Sequence, residues 1–179
     1  MTKQILIAGF GGQGILFSGK FLAYDGLMDG KEISWLPSYG PEMRGGTANC
    51  SVIISDSIVG SPIVTNPDIL IAMNLPSLDK YESETNAGGQ IFVDSSLVER
   101  KVARTDAQAH YIPATILASD QDLPGLANMI MLGFVIRHSG VIPFENVERT
   151  MKKVVSASRQ ELLERNLRAV RLGYDYDET

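Results

Sequence analysis

The chain has 179 residues, of which 44% are hydrophobic, and a formal net charge of −5 at pH 7. This length suits one domain with a full hydrophobic core, and the acidic balance argues against a nucleic-acid-binding surface, which usually needs a basic face. The lone cysteine, Cys50, excludes an internal disulfide and any iron–sulfur cluster held by thiolates of this chain alone. Because no apolar run is long enough for a signal peptide or a membrane span, we expect a soluble cytoplasmic protein.

Short apolar runs bounded by glycine, proline or polar residues predict β-strands along the first two thirds of the chain. The first of these runs ends at Gly9 and leads directly into a helical pattern over residues 15–28. A further short strand, residues 58–60, is predicted to pair with the run before it. The remaining predicted strands are residues 4–8, 31–36, 48–55, 68–72, 90–93 and 110–112.

The last third of the chain is predicted to be mainly helical. Pro143 suits the first turn of a helix over residues 144–155. The sequence Ser158-Arg-Gln-Glu161 has the pattern of a capping box, and Gly173 stands where a C′ glycine would end that helix. The other predicted helices are residues 77–81, 114–118 and 125–138. Strand–helix alternation followed by a helical tail predicts an α/β fold: a Rossmann-like three-layer domain with a mainly parallel sheet, formed by residues 1–179 as one domain.

A glycine-rich loop, Gly9-Phe-Gly-Gly-Gln-Gly14, joins the first predicted strand to the first predicted helix. In this setting Gly9 would permit a tight turn, Gly11 would let the backbone approach a ligand, and Gly14 would let the helix pack on the strand. The N–H groups at the start of the helix could bind a phosphate or a carboxylate. We therefore include Gly12 and Gln13 with these three glycines as candidate cofactor-binding residues.

The rest of the dinucleotide-binding fingerprint is missing from the sequence. A nicotinamide-binding unit places a carboxylate at the end of its second strand to hold the ribose. Here residues 36–38 carry no carboxylate, and Glu32 lies at the start of that strand. Three interpretations of the loop stay open: a dinucleotide site, an anion-binding loop for another nucleotide-like cofactor, and a tight turn that binds nothing.

A second loop follows at residues 36–46, which read Leu-Pro-Ser-Tyr-Gly-Pro-Glu-Met-Arg-Gly-Gly. Its prolines and glycines exclude a regular helix or strand. The guanidinium of Arg44 beside the following N–H groups suits a carboxylate, a phosphate or an acidic side chain of a partner, although Glu42 could simply pair with it. The candidate ligand-binding residues of this loop are Ser38, Tyr39, Gly40, Arg44, Gly45 and Gly46.

Both loops resemble those of a known family. Together with Ser51-Val-Ile-Ile-Ser-Asp56, Ala72-Met-Asn74 and Asn166-Leu-Arg-Ala169, they are similar to the gamma subunit of 2-oxoacid:ferredoxin oxidoreductases, the pyruvate/ketoisovalerate oxidoreductase gamma family. The resemblance covers essentially the whole chain. The sequence Arg44-Gly-Gly-Thr-Ala-Asn-Cys50 looks most like the gamma subunit of the 2-oxoglutarate enzyme, while the pyruvate, branched-chain and indolepyruvate versions share most of the pattern.

The resemblance implies a multi-subunit enzyme that decarboxylates a 2-oxoacid oxidatively with thiamine diphosphate and Mg²⁺. Its electrons pass through [4Fe–4S] clusters to ferredoxin, and its product is an acyl-CoA. The chain lacks a Gly-Asp-Gly thiamine motif and cluster cysteines, so this chemistry is expected on alpha, beta and ferredoxin-like delta subunits. The present chain would supply no catalytic residue but a subunit interface and a surface that faces a ligand, coenzyme A (CoA) being the chemically suitable one. The isolated chain is expected to be able to pair with itself.

Two other functions stay open from the residues alone: an independent Rossmann-type nucleotide-binding oxidoreductase, and a purely structural interaction subunit with an empty glycine loop. Asp94, at a predicted strand end, is either a ligand contact or a cap. Cys50 is expected to be a small buried hydrophobe, and His138 a positively charged residue that favours a helix C-terminus. The apolar helix around Met131 is expected to be partly covered by partner subunits.

Overall fold

The computed structural model describes residues 1–38 and 47–178, which build one six-stranded sheet with helices on both faces. The strand order is β2-β3-β1-β4-β5-β6. All strands run in one direction except β3, which is antiparallel to both of its neighbours. The strands are β1 (Thr2–Phe10), β2 (Glu32–Ser38), β3 (Thr47–Ser55), β4 (Ile69–Ala72), β5 (Gln90–Asp94) and β6 (Gln108–Ile112).

In the described part of the chain, six α-helices cover the sheet: α1 (Ile15–Met28), α2 (Leu75–Tyr81), α3 (Ala114–Asp120), α4 (Ala127–Ser139), α5 (Val147–Val154) and α6 (Gln160–Tyr174). Side chains of β1 alternate between the two faces, as expected for a strand with period two. Ile5 and Ile7 join the larger core beneath α1 and α4, whereas Leu6 and Ala8 join a smaller core beneath α2. The predicted three-layer α/β fold with a mainly parallel sheet is confirmed. No helix of the described residues is long and apolar enough to cross a bilayer.

The predicted strand at residues 58–60 is wrong. Both edges of β3 are already taken by β1 and β2, so no ladder position is left for another strand beside it. Ile58 is 86% exposed, as a residue outside the sheet can be. The strand was predicted from the apolar pair Ile58-Val59. The prediction failed because β-strand propensity does not show whether a neighbouring strand has a free edge for pairing.

The two helices predicted in the tail begin later than expected. Pro143 has extended dihedrals and precedes a 3₁₀ turn at Phe144–Asn146, so α5 begins only at Val147. The predicted capping box does not form: Ser158 hydrogen-bonds Ser156, and α6 begins with Arg159 at its N-cap and no side-chain cap. Both helices are held by packing rather than by these local signals.

Gly173 does not end a helix but lies inside α6, at its contact with α4. A Cβ atom on Gly173 would lie 1.7 Å from the carbonyl oxygen of Ile130, and one on Gly133 would lie 1.9 Å from that of Val170. The two helix backbones therefore touch at a pair of glycines. This contact and the sheet bury the apolar helix α4 within the chain, so the expected cover by partners is wrong for its side chains Met129, Met131, Leu132, Phe134 and Val135.

Candidate functional site

The glycine loop begins later than its sequence pattern indicates. Gly9 pairs with Ala48 inside the ladder of β1 and β3, so it does not make the predicted turn. Its missing side chain is needed for another reason. A Cβ atom there would lie 2.5 Å from Oε1 of Gln13 and 2.8 Å from Cδ1 of Ile15. Gly9 thus makes room for the loop to fold back over the strand.

Gln13 holds this folded-back loop in place. Its Oε1 accepts a hydrogen bond of 2.6 Å from the N–H of Phe10, and its Nε2 donates one of 3.1 Å to the carbonyl oxygen of Met73. The side chain therefore ties the loop after β1 to the residue that follows β4. Of the predicted ligand-binding residues in this loop, Gln13 has its amide engaged within the protein and acts as a brace.

Gly12 and Gly14 give the loop its shape, because both have positive φ, at 90° and 73°. Gly14 is the N-cap of α1, and a Cβ on it would lie 2.3 Å from Nδ2 of Asn128 in α4. That amide donates to the carbonyl oxygen of Gly14 at 3.1 Å. The close packing predicted between helix and strand at Gly14 is therefore a contact between two helices.

The N-terminus of α1 has no side-chain cap among the described residues. Gly14 has no side chain with which to cap it, and the first turn contains no acidic residue. Helix N-termini carry a partial positive charge and unpaired N–H groups, and both favour a phosphate or a carboxylate. Around Gly12 a Cβ atom would meet nothing within 4 Å among the described residues. This end of the helix thus has room in front of it.

A cleft of about 330 Å³ lies beside this loop, and we call it the loop cleft. It is bounded by the glycine loop, by the segment after β5, by α3 and by the start of α4. Because β1 and β5 point the same way, the cleft lies at the carboxyl edge of the parallel strands, where open α/β sheets bind ligands. Its lining residues are Gly12, Gln13, Leu97, Thr115, Ala118, Ser119, Pro124, Gly125 and Ala127.

Two buried polar residues at this edge have contrasting surroundings. Asp94 is satisfied: it accepts hydrogen bonds from the hydroxyl and the backbone N–H of Thr115, at 2.6 and 3.2 Å, and from the N–H of Ser96 at 3.0 Å, so it holds the first turn of α3. Asn74 caps α2 through a 2.9 Å bond from the N–H of Ser77. However, Nδ2 of Asn74 and Oγ of Ser77 have no hydrogen-bond partner among the described residues. Buried groups of this kind normally have one.

Large apolar side chains are exposed along the same edge. Phe10, Leu75, Leu97 and Ile116 are 38–51% exposed; Phe10 is the last residue of β1, and the other three follow closely after β4, β5 and β6. The strand order places them one after another across the sheet. A row of exposed apolar groups is typical of a surface that meets another molecule.

The second predicted loop also leaves the carboxyl edge, but the prediction that residues 36–46 contain no regular strand is wrong at its start, because residues 36–38, including Pro37, belong to β2. Ser38 is half-buried at the end of β2 and pairs with Asn49, while Thr47 at the start of β3 pairs with Phe10. The β3 end of this loop therefore lies next to the glycine loop, and the β2 end lies one strand further away. The other candidate residues, Tyr39, Gly40, Arg44, Gly45 and Gly46, lie outside the described residues.

The topology does not reproduce a nicotinamide-binding unit. In that unit the second strand lies parallel and next to the first, so that its carboxylate reaches the ribose. Here the antiparallel β3 separates β2 from β1. The geometry thus adds to the missing carboxylate at residues 36–38 and disfavours a dinucleotide site.

Cys50 and His138 have pKa values that fix their chemical roles. Burial raises the pKa of the Cys50 thiol to about 12, which makes it a neutral buried group and an unsuitable metal ligand. Burial, together with neighbouring His110, lowers the pKa of His138 below its ordinary value. The lowered pKa favours the neutral imidazole, contrary to the positive charge predicted for His138 at the end of α4.

The model of the family described as pyruvate ferredoxin/flavodoxin oxidoreductase matches residues 4–176. The chain belongs to this family. It is 38% identical to the 2-oxoglutarate synthase subunit KorC of Methanocaldococcus jannaschii, over 98% of this chain and 94% of that protein. The family resemblance predicted from the two loops is confirmed.

Two other members of the family show how widely its polypeptides vary in length and in the enzyme to which they belong. The ketoisovalerate oxidoreductase subunit VorA of Methanothermobacter thermautotrophicus is 37% identical over 97% of this chain, which spans only 36% of that relative's length. The gamma subunit of a keto/oxoacid ferredoxin oxidoreductase from Geobacter sulfurreducens has the same fold, with a TM-score of 0.81 and 30% identity. The match covers 97% of this chain and 96% of that one. Family members thus include both short gamma-type chains and much longer polypeptides.

Proposed function

We propose that this chain is the gamma subunit of a multi-subunit, cytoplasmic 2-oxoacid:ferredoxin oxidoreductase, and that its carboxyl edge faces CoA and the partner subunits. The observation that carries the proposal is that gamma-type relatives match the chain from end to end, while its open loop and exposed apolar row meet at one edge. The reaction would convert a 2-oxoacid and CoA into an acyl-CoA and CO₂ and reduce ferredoxin.

Partner chains would hold the cofactors of this reaction. Bound thiamine diphosphate, with Mg²⁺, would supply the carbanion chemistry of decarboxylation, and [4Fe–4S] clusters would carry the electrons. Cys50 does not fit a cluster, because its thiol is buried and stays protonated. Alpha, beta and ferredoxin-like delta subunits are therefore the expected holders. The row of Phe10, Leu75, Leu97 and Ile116 is the surface that we assign to them.

CoA suits the charge and shape of the carboxyl edge. Its phosphates would meet the uncapped N-terminus of α1, and the loop cleft offers both apolar and hydroxyl-bearing walls. The guanidinium of Arg44 would add a second contact to phosphate, which is a prediction from the sequence alone. The unpartnered groups of Asn74 and Ser77 are further donors at this edge.

We propose 2-oxoglutarate as the first substrate to test. The KorC relative matches this chain over nearly its whole length, and its name states 2-oxoglutarate synthase. The VorA relative is about as similar but carries the name of a ketoisovalerate enzyme. Partner subunits would build most of the oxoacid pocket, so pyruvate and ketoisovalerate belong in the same assay.

The test is a pair of glycine substitutions in the assembled complex. Gly12→Asp places a carboxylate in front of α1, where it should repel the phosphates of CoA. Gly30→Asp is the matched control: both glycines have positive φ and open space around the missing Cβ, but Gly30 lies at the other end of α1. The complex is purified anaerobically, and oxoacid- and CoA-dependent dye reduction is measured with each of the three oxoacids.

We expect Gly12→Asp to raise the KM for CoA at least about tenfold, which corresponds to a loss of about 1.4 kcal/mol in apparent binding free energy. Gly30→Asp should leave this KM unchanged. Equal KM values would mean that the glycine loop binds nothing and the chain is a purely structural subunit. Recovery of the chain without partners or dye-reducing activity, but with tightly bound NAD(H) or FAD, would support the independent nucleotide-binding enzyme instead.

A further inference from the structure

Two imidazoles and a carboxylate meet beside β6, the last strand of the sheet, away from the loop cleft. His110 lies in the edge strand β6, His138 near the end of α4, and Glu178 in the segment after α6. One ligand atom from each of the three residues lies within 4.8 Å of the others. Three segments that are distant in the sequence thus bring nitrogen and oxygen ligands together.

The carboxylate of Glu178 is held so that one oxygen faces an imidazole. Its Oε1 accepts a 2.7 Å hydrogen bond from the N–H of Tyr111, and its Oε2 lies 3.3 Å from Nδ1 of His110. The side chains of His110 and Glu178 are 15% and 29% exposed. Both groups are therefore sheltered but reachable from solvent.

One nitrogen of the His138 imidazole is unsatisfied among the described residues. Its Nε2 is buried and has no hydrogen-bond partner among the described residues. The ring is wedged against Phe134 and His110, with ring centroids 4.5 and 4.7 Å away. Leaving a buried nitrogen unsatisfied costs about 1–3 kcal/mol, so such a group calls for an explanation.

The scaffold around the three residues is fixed by contacts of its own. The side-chain amide of Gln90 donates to the carbonyl oxygen of His138 at 3.2 Å. Arg137 donates to the carbonyl oxygens of Tyr174 and Tyr176, each at 3.1 Å, and pairs with Asp177. These contacts fix the segment after α6 beside the sheet, so Glu178 has a defined position there.

We propose that His110, His138 and Glu178 form a binding site for a divalent transition metal, Zn²⁺ in particular, which clamps the C-terminal tail to β6. Imidazole nitrogen and carboxylate oxygen are ligands that Zn²⁺ commonly takes. In a tetrahedral zinc site with bonds near 2.0–2.1 Å, neighbouring ligand atoms are about 3.4 Å apart. The 3.3 Å between Nδ1 of His110 and Oε2 of Glu178 already has that value, and the wider pairs must close on the ion.

This site is separate from the surface assigned to CoA. The helix α4 begins at the loop cleft with Ala127 and carries His138 near its other end, a distance of roughly 16 Å at 1.5 Å per residue. Three protein ligands leave a fourth position for water. The proposal therefore stands or fails independently of the proposed enzyme complex.

The test is zinc binding by the full chain after it has been freed of metal with a chelator. Zn²⁺ is added at a concentration equal to that of the protein, and bound metal is measured after dialysis. Co²⁺ is then used as a probe, because its absorption spectrum reports nitrogen and oxygen ligation. We compare His138→Ala and Glu178→Gln with Asp175→Asn, which removes a charge from the same tail but no proposed ligand.

We expect one equivalent of Zn²⁺ in the wild type and in Asp175→Asn, and an affinity at least about tenfold lower in the two ligand variants. Zinc should also slow amide exchange at Tyr111, whose N–H binds Glu178. A wild-type chain that retains no zinc would overturn the proposal, as would unchanged affinity in Glu178→Gln. That variant alters only the tail, so it decides the question even if His138→Ala does not fold.

Discussion

The carboxyl edge of the sheet and the α4–α6 helix pair use glycine for opposite purposes. At the edge, a Cβ on Gly12 would meet none of the described residues within 4 Å, whereas on Gly133 or Gly173 it would lie within 2 Å of a carbonyl oxygen of the facing helix. One region keeps its backbone open, and the other closes backbone on backbone. Replacing Gly12 at the edge should therefore weaken ligand binding, whereas replacing Gly133 or Gly173 between the helices should lower the stability of the chain.

The carboxyl edge also differs from the junction of α1 and α5 in how its buried polar groups are paired. At the carboxyl edge, Nδ2 of Asn74 and Oγ of Ser77 lack partners among the described residues. At that junction, the buried carboxylate of Asp25 accepts a 2.6 Å hydrogen bond from the hydroxyl of Thr150 and a longer one from Asn146. The carboxylate of Asp25 is thus satisfied within the chain, while the carboxyl edge keeps groups that a ligand or a partner could satisfy.

The largest effect on stability is expected from Gly173→Ala. The new methyl group would lie 1.7 Å from the carbonyl oxygen of Ile130, and neither helix backbone can yield without moving the other. We expect the free energy of unfolding, measured by urea denaturation, to fall by about 3 kcal/mol or more.

The control for this change is Gly60→Ala. Gly60 has open space around its missing Cβ and no positive φ, so its substitution should change stability by less than about 0.5 kcal/mol. Similar losses in both variants would contradict the backbone contact between α4 and α6.

A smaller effect is expected from Gly14→Ala, compared with Gly30→Ala. Both glycines have φ of 73°, so both substitutions incur the strain of a left-handed conformation, about 1 kcal/mol. At Gly30 nothing lies within 4 Å, whereas at Gly14 the Cβ would overlap Asn128. We expect urea denaturation to show a further loss of about 1–2 kcal/mol for Gly14→Ala.

Asn128→Ala is the means to isolate that overlap. Removing the amide should relieve the methyl group of Gly14→Ala, so the double variant should lose less stability than the sum of the two single variants. Strictly additive losses would show that the contact between Gly14 and Asn128 does not constrain the loop.

Local patterns in the sequence predicted the helices and strands better than they predicted how these elements pair and pack with one another. The first helix was predicted with its bounds, because glycines precede it and an apolar pattern runs through it. The antiparallel direction of β3 was not predicted, since a short apolar strand carries no sign of its direction. Gly173 looked like a helix end because a C′ glycine and a glycine at a helix crossing have the same side chain.

The candidate site was predictable only in part for a related reason. The glycine loop was found because its residues are consecutive, and its position at a strand end follows from the α/β pattern. The contact of Asn128 with Gly14 and the meeting of His110, His138 and Glu178 join residues far apart in the sequence. No local pattern marks such contacts, and they emerge only when the helices have packed.

The smallest effect concerns the pH dependence of stability at the junction of α1 and α5. Burial raises the pKa of Asp25, although Thr150 donates to it. One turn further on, the pKa of Asp29 is lowered, first by its hydrogen bond with Arg149. As pH rises from the unfolded-state value near 3.9 through the raised pKa of Asp25, the folded state loses a proton that it held more tightly, so that carboxyl reduces stability. Asp29 acts in the opposite sense, and its contribution is lost as pH falls through its lowered pKa.

Asp25→Asn and Asp29→Asn should therefore change the pH profile of unfolding in opposite directions. Relative to the wild type, Asp25→Asn should gain stability as pH rises above about 4, because the penalty for a buried charge is gone. Asp29→Asn should lose stability over the same range, because its ion pair with Arg149 no longer forms. Urea denaturation at a series of pH values measures both differences. Parallel profiles for the two variants would mean that burial at Asp25 and pairing at Asp29 do not govern these carboxyl groups, and that the two ends of the junction share one environment.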